Sequence, residues 1–227
     1  MKKWFLLILI CTCLEHAVFS QAINDAGLWA TINIEKKINK RLECFLTQEF
    51  RLKENYTQTN LFYTDIGLAV KPLGFMKFSF SYRSIQKARI DETFSFRHRL
   101  TLDLILKKKF GKIIPSFRQR IQMQLRNVYS GENGRLPEWY ARERVEIKYD
   151  LDLPIKPFAA IELRYQLKNP REMGLNGTWD RIRYSFGLDY KLNSKNQLSF
   201  YYLMQRGLYN ATSNNLFITG ISYTVSL

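Results

Sequence analysis

The chain has 227 residues, enough for one large β domain. Lysine and arginine number 35 against 20 aspartates and glutamates, a net charge of +15 that attracts anions without choosing among nucleic acid, lipid phosphate and small solutes. Three cysteines and two histidines exclude a disulfide framework and argue against a His/Cys metal cluster.

The first element is "MKKWFLLILICTCLEHAVFSQA". Lys2 and Lys3 precede an apolar run from Trp4 to about Leu14, and Val18-Phe19-Ser20 provides a small-residue cleavage site before Gln21. Residues 1–20 read as a Sec signal peptide and 21–227 as the mature domain. The apolar run is about ten residues, half of the roughly 20 that a spanning helix needs. A lipoprotein reading is weaker, because Ile10 and Thr12 stand before Cys11 and Cys13 where a small residue is wanted. With those two cysteines in the leader, Cys44 is left without an internal partner.

From there the sequence alternates with period two, the spacing that sends successive side chains to opposite faces of a strand. The apolar faces are, in order, Leu28 to Ile34; Leu42, Cys44, Leu46, Phe50 and Leu52; Phe62, Ile66, Leu68 and Val70; and Met76, Phe78, Phe80 and Tyr82. "SFRHRLTLDLILKKKFGKIIPSFRQRIQMQLRN" is one long hairpin: Phe94, Phe96, His98, Leu100, Leu102, Leu104 and Leu106 share a face, then Phe117, Ile121, Met123 and Leu125. Val145, Ile147 and Tyr149 follow, then Ala159 to Tyr165, Ile182 to Tyr190, Leu198 to Met204, and Phe217 to Leu227. Only Glu143 and Arg206 put a charge on the apolar side, and both are expected near strand ends.

Short connections ("KINK", "KPLG", "KKKFGK", "LPIK", "NSKN") alternate with longer polar ones ("ENYTQTN", "SIQKARIDE", "YSGENGRLPE", "NPREMGLNGT", "GLYNATSNN"). The expectation is an all-β, up-and-down antiparallel transmembrane β-barrel of 10–12 strands. A soluble sandwich also alternates, but its strands are typically about 5–6 residues, whereas several segments here run past the roughly 9–11 of a tilted spanning strand. Trp29, Trp139, Tyr140, Trp179 and Tyr209 lie near segment ends, where interfacial girdles favour aromatic rings. Eleven segments are visible. Bacterial barrels usually have an even number, so a twelfth strand around Gln21–Ala26 is favoured.

"GLWATINIEKKINKRL", "LTQEFRL", "RHRLTLDL" with "FRQRIQMQLR", "YARERVEIKYDL" and the terminal "GISYTVSL" together resemble an uncharacterised family of outer-membrane β-barrel proteins of Gram-negative bacteria, classed as a domain of unknown function. The resemblance covers essentially the whole mature chain. It implies an outer-membrane barrel and supplies no activity or catalytic residues. Barrel assembly signals commonly finish in an aromatic residue; this chain departs from that by finishing in Leu227, with Tyr223 on the lipid face.

The polar face carries the candidate site. Arg97, Arg99, Arg118, Arg120, Arg126, Arg142, Arg144, Arg164, Arg181 and Arg183 recur on it, with Asp103, Glu146, Asp150, Glu162 and Asp189. A planar guanidinium bridges carboxylates or carbonyls, so the expectation is a lumenal ion-pair ladder, with Arg120 and Glu146 as a facing pair. Surplus positive charge would make a structural barrel or a narrow anion-favouring passage, not an enzyme. The partners expected are outer-membrane lipid and lipopolysaccharide and, during biogenesis, the barrel-assembly machinery, with no nucleic acid, metal or cofactor. The alternative is a lipid- or lipopolysaccharide-acting enzyme using His98, the mature chain's single histidine. Acyl transfer needs a hydroxyl and an orienting group within reach of the base, and Ser95 stands on the opposite face. Inward carboxylates, Glu43, Glu49 and Asp65 among them, are expected to be ion-paired rather than catalytic. The sequons at Asn55, Asn176 and Asn210 fall in predicted loops.

Overall fold

The computed structural model describes residues 24–89, 93–126, 135–208 and 215–227. The expected leader and cleavage site, residues 21–23 of the candidate extra strand, Tyr209 and Asn210 lie outside the described residues.

The alternation becomes eleven strands: β1 (Asn24–Lys37), β2 (Leu42–Lys53), β3 (Gln58–Leu73), β4 (Met76–Ala88), β5 (Phe94–Lys107), β6 (Ile113–Arg126), β7 (Glu138–Tyr149), β8 (Ile155–Lys168), β9 (Thr178–Lys191), β10 (Asn196–Gly207) and β11 (Asn215–Ser226). Each pairs antiparallel with its neighbour, and the sheet closes on itself through β1 and β11. With an odd count the first and last strands run the same way, so the closing pair is parallel, from Asn24↔Asn215 to Glu35↔Ser226. No twelfth strand exists among the described residues; residues 24–26 belong to β1 itself. Side chains stitch the parallel seam, where Asn33 Nδ2 donates to Ser222 Oγ at 3.0 Å while Asn33 Oδ1 accepts from Thr47 at 2.8 Å. The Leu227 N–H donates to the Glu35 carbonyl at 2.8 Å.

The faces are inside out relative to a soluble protein. Leu102 is 57% exposed on the outside, while its neighbour Thr101 is 3% exposed in the lumen. An exposed apolar surface over every strand is costly in water and stable in lipid, where closure pairs every ladder group. Outer-end Trp139 and Trp179 stand in this exposed surface. Trp29 and Tyr140 do not: their positions point inward and both are buried.

The connections sort by end. Residues 38–41, 74–75, 108–112, 150–154 and 192–195 form one end. The other carries 54–57, 89–93, 127–137, 169–177 and 208–214. The β2–β3 connection at this long-loop end is tighter than expected, because Glu54, Asn55 and Tyr56 all take positive φ and turn the chain at once. Length therefore separates the two ends mainly in the last three loops.

Candidate functional site in the barrel lumen

Every strand contributes alternate side chains to the lumen, and register decides which of them meet. Glu162 on β8 is the centre. Arg118 Nη2 lies 2.6 Å from it, Arg183 Nη1 3.0 Å and Arg142 Nη1 3.5 Å, so one carboxylate ties β6, β7 and β9. Arg120 forms a two-pronged pair with Asp103 on β5, both contacts at 2.6 Å. Arg144 Nη2 is 2.6 Å from Glu146, and Lys148 bridges Glu146 to Asp189. The expected Arg120–Glu146 pair does not form, because each finds a carboxylate or cation on its own or the adjoining strand first. On the opposite wall Arg51 pairs with Glu49, which also accepts from Tyr63 Oη at 2.8 Å and Thr31 Oγ1 at 3.0 Å. Arg83 is 2.6 Å from Asp65 and stacks 3.8 Å from the Tyr63 ring. Glu43 near the turn end holds Lys71 and Lys77.

The remaining sequence candidates divide. Arg126 Nε is 2.7 Å from Glu138, close enough for an ion pair but without hydrogen-bond alignment. Arg164 pairs with Asp180. Arg99 pairs with no carboxylate among the described residues; its Nε donates to Gln124 at 3.0 Å. Arg97 faces Arg126 in register, and its buried Nε has no hydrogen-bond partner among the described residues. Arg181 lies in register with Arg164. Asp150 lies past the end of β7, at the turn end, where Lys109 (2.6 Å) and Lys156 (3.2 Å) clamp it. It is a rim residue.

Two ion-paired carboxylates escaped the sequence reading. Glu138, 0% exposed, takes Arg126, Arg171 at 2.9 Å and the Tyr140 hydroxyl at 2.6 Å. Its parity matches Arg142, a signal hidden because Glu138 ends the polar run "YSGENGRLPE". Asp180 has outward parity; a bulge pairs Arg164 with Arg181 and Tyr165 with Trp179, skipping Asp180 and letting it turn inward.

The lumen is filled unevenly. Towards the long loops Ile218 (0% exposed), Gln122 and Gln166 (1% each) and Glu138 (0%) are fully buried. Below them a cavity of about 600 Å³ runs from a layer containing Trp29, Arg51, Tyr63 and Arg142 down to Glu35, Lys107, Lys148 and Gln197 near the turns. The layer is made by large rings set beside glycines: a Cβ on Gly220 would lie 2.0 Å from the Tyr201 ring. Arg51 stacks 3.5 Å from the Trp29 ring centre in this layer.

Outside the barrel, His98 Nδ1 is 2.7 Å from Tyr82 Oη, and Ser84 stands opposite His98 in register on the same outward face. Glu143 is also outward, but at the middle of β7 rather than near its end, in register with Gln119. Among the described residues no group of three or more His, Cys, Asp or Glu is placed to hold a metal ion.

Residues 26–216 match the model of a family described as "Protein of unknown function (DUF2490)". A solved structure described as "NanC porin structure in rhombohedral crystal form" superposes with TM-score 0.52 at 13% identity, over 88% of this chain and 94% of that one. A "Bacterial polysaccharide outer membrane secretin" gives TM-score 0.50 at 9% identity over 79% of this chain. This chain spans 62% of the secretin chain's length. At these identities the likeness is one of fold alone. Among curated proteins there is no significant match.

Proposed function

The chain belongs to this family of unknown function, with a barrel of the outer-membrane, porin-like type, and from that premise we propose a non-enzymatic integral outer-membrane protein whose basic lumen admits small anions from the turn end. The observation that carries the reading is the excess of arginine and lysine over carboxylate around the 600 Å³ cavity. A low-dielectric wall focuses that charge on the mouth and raises the local anion concentration. The packed outer half keeps any onward passage narrow. Lipopolysaccharide meets the long-loop end, and the outward row Ile221, Tyr223, Val225 and Leu227 on and after β11 is what the assembly machinery reads.

Reversal potentials in planar bilayers test this. Chloride is expected to permeate over potassium, with the preference reduced by Lys107→Gln with Arg118→Gln. Cation preference or electrical silence would overturn the passage.

A second reading, hydrolysis of lipid esters, is favoured by one observation: Ser84 and Tyr82 flank His98 on the outward face. Nucleophile, base and orienting group then share one patch. Against it, the backbone N–H groups of β4 and β5 point within the sheet and are used in the ladder, which leaves no oxyanion donor beside Ser84. Phospholipid vesicles with the folded protein separate the two: fatty acid release lost in both His98→Ala and Ser84→Ala would establish the enzyme.

A further inference from the structure

We infer that the lipid-facing surface of β6 and β7 pairs with the same surface of a second copy of this chain, in a dimer held by reciprocal contacts between Gln119 and Glu143. The inference concerns the outside of the barrel alone and is independent of what the lumen admits.

Glu143 lies at the middle of β7 with outward parity, and Gln119 stands opposite it in register on β6. Elsewhere on the outer surface polar side chains answer one another. Gln48 Nε2 donates to Thr64 Oγ1 at 2.8 Å, and Tyr82 Oη lies 2.7 Å from His98 Nδ1. Glu143 and Gln119 differ: neither makes a hydrogen bond or ion pair with any described residue. Ionisable side chains left to hydrocarbon are costly, and those found at membrane depth are almost always paired. What this surface lacks is a partner that supplies a donor and an acceptor at the same level.

A second copy is such a partner by symmetry. Two barrels inserted in the same direction are related by a twofold axis only if that axis runs along the membrane normal, so their surfaces meet at equal depth. An isologous interface brings residue i of one copy to residue j of the other, and j to i. With the axis between β6 and β7, Gln119 of each copy meets Glu143 of the other. The amide NH₂ donates and the carboxyl oxygen accepts, twice over.

The apolar surroundings fit the same axis. On the β5 side of the pair, a groove of about 410 Å³ is lined by Leu68, Phe78, Phe80, Leu102 and Leu104, with Gln119 at its β6 edge. On the β8 side, Val145 and Ile147 (52% exposed each) and Ile161 (49%) form an outward aliphatic row. The twofold lays the row of one copy over the groove of the other. An acyl chain would also fill the groove, but it leaves both polar groups unanswered.

Sedimentation equilibrium of the folded protein in density-matched detergent tests the pairing, and the mass of two chains is expected. Glu143→Leu or Gln119→Leu removes both contacts at once by symmetry, and each is expected to weaken association about tenfold. Heat-modifiable migration on gels checks that the variants are folded. In a lone barrel Glu143→Leu takes a carboxyl group out of lipid, so its lost pairing cannot come from a weaker fold. The exchange Gln119→Glu with Glu143→Gln keeps a carboxyl facing an amide across the axis and is expected to pair like wild type. Phe200→Ala, on the outer face of β10, is expected to do the same. A single-chain mass for the wild-type protein would overturn the dimer, and phospholipid carried with that single chain would assign the groove to an acyl chain instead. Unchanged association of both leucine variants would overturn it too. An exchange variant that stays single would overturn the reciprocal contact.

Discussion

Glu162 holds three guanidinium groups from three other strands, and removing it leaves all three without a carboxylate partner among the described residues. Breaking a buried ion pair from one side costs roughly 3–5 kcal/mol. Glu162→Gln is therefore expected to lower the urea midpoint of the barrel in lipid vesicles sharply, and a midpoint equal to wild type would mean that water in the cavity already satisfies the arginines. The direct contact makes Arg120 and Asp103 the pair for a double-mutant cycle, with coupling of about 0.5–3 kcal/mol. Arg120 and Glu146, which do not touch, should be additive. At the turn end, hydrogen bonds from Lys109 and Lys156 hold the Asp150 carboxyl at about 2, below its ordinary 3.8. A depressed folded-state value stabilises above the unfolded one, so this contribution is complete above about pH 4 and is lost as pH falls through 2. Asp150→Asn should abolish the part of the acid-induced loss of melting temperature that falls in that window. The same pairing raises Lys109, so its contribution is complete below the ordinary lysine value of 10.5 and fades at higher pH. Glu143 faces lipid at mid-strand beside Gln119. Glu143→Leu is expected to stabilise, by less than the roughly 2–4 kcal/mol that Arg or Lys costs at the bilayer midplane.

Strands impose a two-sided test. Leu102→Arg places a charge in lipid at roughly 2–4 kcal/mol, and should lower folding yield into vesicles. The lumenal neighbour is no neutral control: Thr101 accepts from Gln122 at 3.3 Å in a packed layer, so an arginine there overfills the lumen. Ser79, which lines the cavity, has the room instead, and Ser79→Arg should fold nearly as well as wild type. Glycine marks the layer that ends the cavity. Gly220→Ala drives a methyl group into the Tyr201 ring and should weaken the barrel, whereas Gly74→Ala, with nothing within 4 Å, should not. If both behaved alike in thermal gel-shift assays, Tyr201 would have to be free to move aside.

Closure by a parallel pair has a consequence for the whole molecule. In an even-stranded barrel both chain ends emerge on one side. Here β1 begins at the long-loop end and β11 finishes at the turn end. With long loops outward, Asn24→Cys and Asn176→Cys should both label in intact cells with an impermeant maleimide. Asn39→Cys should stay protected. Protection of Asn24→Cys beside labelled Asn176→Cys would mean that β1 and β11 do not pair as described.

The strands, their faces and the polarity of the lumen were legible in sequence because period two is a local property: whether Leu102 or Thr101 meets lipid depends on its neighbours along one strand. The inward positions of Trp29 and Tyr140 follow from the same parity, which outweighs their place near strand ends. Ion-pair partners were not legible, since Arg120 chooses Asp103 over Glu146 through the register between strands, which no single strand encodes. Asp180 turned inward only because a bulge between β8 and β9 broke the alternation. The preference for twelve strands failed for a related reason. Counting segments gave eleven, and only the joining of β1 to β11 side by side decided that eleven could close, because hydrogen bonds across the seam are satisfied in parallel as well as antiparallel.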